Sequence, residues 1–170
     1  MASKWLNKKT AMVANTVYCD KQLVARDVEF TLPEVTYLSS EVQAAGTLEL
    51  PIVGATESME LSITKIGFDT GLKRMTAPKK MSLEFRTVQS GIDKNGNSTN
   101  ESIKIFVSVI PKTIPGFGIK VGENSENEIT YSVTRYSMFI NGVEYLLIDK
   151  LSGIFRINGT DYAAKINKLL

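Results

Sequence analysis

Four segments of this chain alternate apolar and polar residues with period two, and that alternation restricts the fold more than any other feature. In Ser58 to Ile66, Met59, Leu61 and Ile63 stand against Glu60, Ser62 and Thr64. In Lys79 to Gln89, Met81, Leu83 and Phe85 stand against Ser82, Glu84 and Arg86. The third segment sets Ile103, Ile105, Val107 and Val109 against Ser102, Lys104, Phe106 and Ser108. The fourth, Glu128 to Ile140, sets Ile129, Tyr131 and Val133 against Thr130, Ser132 and Thr134. Successive side chains of a strand point to opposite faces, so each segment is predicted to be a strand with one buried and one wetted side.

The rest of the chain fits a mainly β fold with one or two short helices. Thr16–Cys19 and Gln22–Ala25 flank Asp20-Lys21, a hairpin tip, and Asp27 to Leu32 reads as a strand stopped by Pro33. Asn141-Gly142 between Met138-Phe139-Ile140 and Val143 to Leu147 is the strongest hairpin signal, because both residues tolerate positive φ. Asn95-Gly96 lies inside a loop. Asn158-Gly159 precedes Asp161, which is expected to cap a terminal helix with Tyr162, Ile166, Leu169 and Leu170 on one face. A second short helix is expected at Asp69 to Met75, before Pro78. Pro33 to Glu57 has no such pattern and reads as a long loop, functional or ordered by a partner. Pro111 to Asn127, with its Pro and Gly residues, reads as an irregular connector. No linker divides the chain, so residues 1–170 are expected to form one domain.

Composition removes whole classes of chemistry. Among 170 residues there is no His and one Cys, Cys19. Ser-His and Cys-His pairs, His/Cys zinc sites and an internal disulfide are therefore excluded, leaving carboxylate or Lys chemistry formally open. At this length roughly 70% of the unfolded chain's surface is buried on folding, enough for a real core. No apolar run reaches the ~20 residues of a membrane helix. The opening stretch Met1 to Lys9 has no apolar core of a signal peptide, so standard secretion is not expected.

A net charge of +2 is too small to point to nucleic acid, but its distribution is uneven. From Asp27 to Thr64 there is no Lys or Arg, while Asp27, Glu29, Glu34, Glu41, Glu49, Glu57 and Glu60 are acidic. From Lys65 to Lys94 the sign reverses, with Lys73, Arg74, Lys79 and Lys80 prominent. Either this is ordinary solvated surface, or two segments of opposite sign meet within or between subunits.

Other motifs carry less. Gly116 to Gly122 lacks the helix and the Lys-Ser/Thr pair of a phosphate loop and reads as a turn. The Asn-X-Ser/Thr triplets at Asn97, Asn100 and Asn158 have no secretory signal behind them, and Cys19, read as mid-strand, is a small apolar residue. The polar sides of the four strands are more informative. They carry Glu60, Ser62, Thr64, Ser82, Glu84, Arg86, Ser102, Lys104, Ser108, Thr130, Ser132 and Thr134. Such a face is either the outer side of an antiparallel sheet or the wall of an aqueous channel. Small hydroxyls with few charges of mixed sign would hydrate a bore without gripping a polyanion, whereas a Lys/Arg-rich wall would bind phosphates. Alternation fits both.

The order of elements carries a resemblance over nearly the whole chain. It runs from an N-terminal hairpin through Thr31-Leu32-Pro33 and an arm with Ala44-Ala45-Gly46 to Ser58-Met59-Glu60-Leu61-Ser62-Ile63 and a short helix. It ends on Tyr136-Ser137-Met138-Phe139-Ile140-Asn141-Gly142, Leu147-Ile148-Asp149 and Ile157-Asn158-Gly159-Thr160-Asp161, the most specific part. This is similar to the major tail tube proteins of contractile-tailed bacteriophages and R-type bacteriocins. The resemblance implies a tail-tube β-sandwich or barrel without catalysis or cofactor. It implies a hexameric ring contributing strands to a continuous inner barrel, and rings stacked into a hollow tube. Residues 33–57, with Glu34, Glu41, Glu49 and Glu57, become an inter-ring arm, and Lys73, Arg74, Lys79 and Lys80 its basic partner surface. A contractile sheath, baseplate and terminator proteins are the implied partners, with no stable membrane insertion by the subunit alone. The bore would carry DNA in a phage tail or ions in a bacteriocin, in particles assembled in the bacterial cytoplasm. Two other readings stay open: a type VI secretion tube protein, and a small-ligand-binding β-barrel with an apolar cavity mouth.

Overall fold

A computed structural model describes residues 7–170; the Met1–Leu6 part of the stretch read for a leader lies outside the described residues. The chain runs β1 (Lys8–Cys19), β2 (Gln22–Arg26), β3 (Glu29–Thr31), β4 (Tyr37–Gln43), β5 (Thr47–Thr56), β6 (Met59–Ile66) and α1 (Thr70–Met75). It continues through β7 (Met81–Ile92), β8 (Ser98–Pro111), β9 (Glu126–Ile140), β10 (Val143–Asp149), β11 (Ile154–Ile157), β12 (Thr160–Asp161) and α2 (Ala164–Asn167). One antiparallel sheet follows the path β12-β11-β10-β9-β8-β7-β1-β2, with β6 on the first half of β9 and β3 outside β6. β4 and β5 form a separate two-stranded sheet.

The four alternating segments are β6, β7, β8 and β9, and their apolar sides make the core. Met59, Leu61, Ile63, Met81, Leu83, Phe85, Ile105, Val107, Val109, Ile129, Tyr131 and Val133 are each no more than 3% exposed. Val17 and Cys19 join them from β1, opposite Phe85 and Leu83. The far side of this core is closed by Leu72 and Met75 of α1 and by Phe30 of β3, whose ring lies 4.4 Å from that of Phe85. The Tyr131 hydroxyl donates to the Met75 carbonyl at 2.7 Å, tying the end of α1 to the sheet. Burial pushes that phenol's pKa well above its ordinary value.

Local chemistry explains the punctuation. Asp20 and Lys21 take φ of 46° and 69°, and Asn141 and Gly142 take 51° and 78°, the doubly positive pattern of a tight hairpin turn. Asp69 caps α1, its Oδ1 accepting from the Leu72 amide at 2.8 Å.

Four expectations need correction. The strand expected from Asp27 to Leu32 is only Glu29–Thr31, because Asp27 has φ of 50° and leaves the extended region. Cys19 ends β1 rather than sitting mid-strand; it is buried, its Sγ 3.8 Å from the Met81 sulfur. Asp161 does not cap α2, whose N-cap is Ala163 without a side-chain bond. Instead its Oδ1 accepts from the amides of Phe155 and Ala163, and Leu169 and Leu170 stay exposed. Finally, 33–57 is no unstructured loop: most of it is the β4–β5 hairpin.

Candidate assembly surfaces

The registers of the long sheet decide which polar residues share a face, since directly opposed residues project to the same side. Glu60, Ser62 and Thr64 of β6 oppose Ser132, Thr130 and Glu128 of β9. Ser82 opposes Ser108, Glu84 opposes Phe106, Arg86 opposes Lys104 and Val88 opposes Ser102 across β7–β8. Ser108 opposes Arg135, and Ile110 opposes Ser132, across β8–β9. One face therefore runs from β6 through β9 and β8 to β7, backed throughout by the core. All the residues read as its members are exposed or half-buried.

Thr134 departs from that pattern. The pairing of Ser108 with Arg135 and of Val109 with Val133 leaves Thr134 as the extra residue of a β-bulge. Its hydroxyl donates to the Ser108 carbonyl at 3.2 Å. The bulge restarts the alternation, so Arg135, Ser137 and Phe139 join the polar face, which simple counting misses. Phe139 lies edge-on to Phe106 at 5.8 Å. With Ser82, Glu84, Ser108 and Arg135 these rings line an open concavity of about 650 Å³.

Charge on this face is balanced: Glu60, Glu84 and Glu128 against Arg86, Lys104 and Arg135. Several of these charges are engaged locally. Arg86 meets Glu84 at 2.6 Å and sits 4.4 Å over the Tyr18 ring, which relieves its position opposite Lys104. Glu60 is 3.3 Å from Lys112, and Arg135 is 3.8 Å from Asp149.

The β4–β5 hairpin is built differently. Glu41 faces Glu49 and Ser39 faces Pro51 on one side; Val42 faces Leu48 and Ser40 faces Leu50 on the other. Strand parity adds Leu38 and Ile52 to the second side, an apolar stripe whose members are 41% to 48% exposed, so a large part of each stays open to solvent. That alternation was legible in Leu48, Leu50 and Ile52 but hidden by the loop reading. At its base Tyr37 packs 5.7 Å from Phe155, and Lys150 donates to the carbonyls of Thr56 and Glu57. Gly54, at φ of 92°, passes close to Ala163 and Ile166. Of the other arm acids, Glu34 and Glu57 flank that base, beyond the strands.

The basic residues do not form one tight cluster in sequence position. Lys73 and Arg74 lie in the last turn of α1, whereas Lys79 and Lys80 lie in the exposed segment before β7. None of the four forms an ion pair among the described residues.

Comparison with known proteins supplies a family. Residues 9–170 match the family model of phage tail tube protein FII. No curated protein is matched by sequence. Two similar solved chains come from an extracellular contractile injection system. One belongs to the PVC sheath-tube complex in the extended state, at 17% identity and a TM-score of 0.50, covering 74% of this chain and 87% of that one. The other belongs to the PVC sheath/tube terminator in the extended state, at 17% identity and a TM-score of 0.51, covering 74% and 92%. At that identity the likeness is one of fold.

Proposed function

The chain belongs to the phage tail tube protein FII family, and from that premise we propose that six copies close into a ring whose bore is lined by the polar face of β6–β9. Rings stack into the inner tube of a contractile injection particle, a phage tail or an R-type bacteriocin, assembled in the bacterial cytoplasm. The observation that carries this reading is the register. It unites the hydroxyl-rich sides of four strands into one continuous, charge-balanced face with the whole core behind it.

Such a wall suits passage. It presents water-binding hydroxyls to a transiting solute, and its Lys and Arg are matched by Glu, so DNA would meet no net counterion-releasing surface. Closure also resolves an exposed edge. From Lys8 to Ala14, β1 has β7 on one side and no strand on the other among the described residues. An unpaired edge templates indiscriminate pairing unless a neighbour occupies it. The subunit works without catalysis or cofactor, with sheath, baseplate and terminator proteins as partners. The arm's Glu34, Glu41, Glu49 and Glu57 approach Lys73, Arg74, Lys79 and Lys80 of a neighbouring copy.

A thiol placed at Ser62 or Ser108 tests the bore. A polymer-linked maleimide too bulky to enter should label Ser62→Cys and Ser108→Cys in free subunits and leave them unlabelled in assembled tubes. Equal labelling in both states would remove these residues from the lumen.

A further inference from the structure

Away from the polar face, an open groove of about 520 Å³ lies between α1 and the connector that follows β8. Phe68, Leu72, Ile114 and Phe117 line it, with Lys73 at its rim. The Phe68 and Phe117 rings stand 4.8 Å apart, and Phe68, Ile114 and Phe117 are 54%, 68% and 40% exposed. The one acid lining it, Asp69, is engaged by Lys65 at 2.9 Å and by the Leu72 amide. The groove is thus apolar with a cationic rim.

Its position relative to the arm matters most. The β4–β5 hairpin joins the body at the Met59 end of β6, whereas Phe68, with Phe117 against it, lies just past the Ile66 end. The eight-residue strand puts seven residue steps between Met59 and Ile66, about 23 Å at roughly 3.3 Å per step. A donor at one pole and an acceptor at the other make a heterologous contact, which extends along an axis when its rotation does not close into a ring.

Resting on the stacked-ring reading above, we infer that the Phe68–Phe117 groove receives the apolar stripe of a second copy's arm, with Leu48 and Leu50 against the two rings. The occupant matches in polarity and in charge. Glu41 and Glu49 are on the hairpin's opposite side; with the stripe seated in the groove they would lie about one ribbon thickness away, within a Debye length of roughly 10 Å of Lys73 and Arg74. The arm thereby finds the cover that it lacks in a single chain.

Cysteine pairing tests this. Leu48→Cys or Leu50→Cys is combined with Ile114→Cys, and the tubes are oxidised mildly and run on a non-reducing gel. The expected result is a ladder of linked copies that neither single variant produces; buried Cys19 is common to all samples. A second variant, Phe117→Asp, should lower tube yield roughly tenfold or more while the subunit's melt stays cooperative. Tubes that form normally with no link at either arm position, or a link confined within one chain, would overturn the groove while leaving the stacked ring standing. An unaltered chain that never assembles would overturn both.

Discussion

The β6–β9 face and the β4–β5 hairpin are written in the same period-two alternation, yet they end up in opposite physical situations. On the sheet, the apolar side of every strand is backed by other strands and by α1, so the polar side is what remains for solvent. On the hairpin nothing comparable lies behind the apolar side, and its five aliphatic residues stay more than two-fifths exposed. An isolated two-stranded ribbon is marginal in water, and the Glu41–Glu49 pair directly opposed on its other side weakens it further. Alternation therefore states that a strand has two unlike faces; it does not state which partner covers the apolar one. In this molecule the first region builds the subunit's core, and the second keeps its apolar side partly open to solvent.

The sharpest way to break this comparison is to remove one large apolar side chain from each region. Phe85→Ala should cost the isolated subunit about 3–5 kcal/mol in urea unfolding, as expected for a fully buried aromatic. Leu50→Ala should change the same measurement by no more than about 0.5 kcal/mol, the range of surface substitutions, while slowing tube growth. Comparable losses from both would mean that the arm belongs to the subunit core.

A second test works on assembly. Glu41→Lys with Glu49→Lys reverses the charge of the β4–β5 hairpin and should stop tube polymerisation with the far-ultraviolet spectrum and melt of the subunit unchanged. Normal tubes from the double variant in electron micrographs would sink the charge pairing with Lys73, Arg74, Lys79 and Lys80.

A smaller effect separates helix capping from both surfaces. Asp69→Ala should destabilise the subunit by about 1 kcal/mol, the usual cost of losing an N-cap. Burial alone would raise the Asp69 pKa, but the Leu72 amide and Lys65 together outweigh it and hold the carboxyl below its ordinary value. Its contribution is thus present in full above the ordinary Asp pKa, near 4, and fades as pH falls through the lowered one. Stability curves of the two proteins should converge toward acid; a gap that stays constant down to about pH 2 would assign the loss to something other than the carboxylate.

The smallest predicted effect lies in the arm itself. Glu41→Gln removes a like-charge pair and should slow hydrogen exchange of β4–β5 amides by the equivalent of a few tenths of a kcal/mol at low salt. That gain should vanish near 1 M salt, where the screening length falls to about 3 Å. No change at any ionic strength would show that the two carboxylates do not interact.

Much of the fold could be read directly. The faces of β6, β7 and β8, the Asp20-Lys21 and Asn141-Gly142 turns and the Asp69 cap all depend on residues within a few positions of one another. Less of the assembly surface was accessible. Thr134 looked like one more member of the alternation, but the bulge follows from how β8 and β9 share their hydrogen bonds, a relation between residues more than 20 positions apart. Arg135, Ser137 and Phe139 were missed for the same reason. In the arm, Pro51 and Gly46 break up the local strand signal, although Leu48, Leu50 and Ile52 keep strand parity.

By itself, then, the amino-acid order determined that the chain makes two-faced strands joined by tight turns, because side-chain alternation and positive-φ turns are properties of the local backbone. It also excluded histidine and paired-cysteine chemistry outright. Only the tertiary structure decided which strands lie side by side, where the alternation resets and which apolar stripe is left uncovered. Those outcomes depend on register and on competition for burial among distant segments, which no local pattern records.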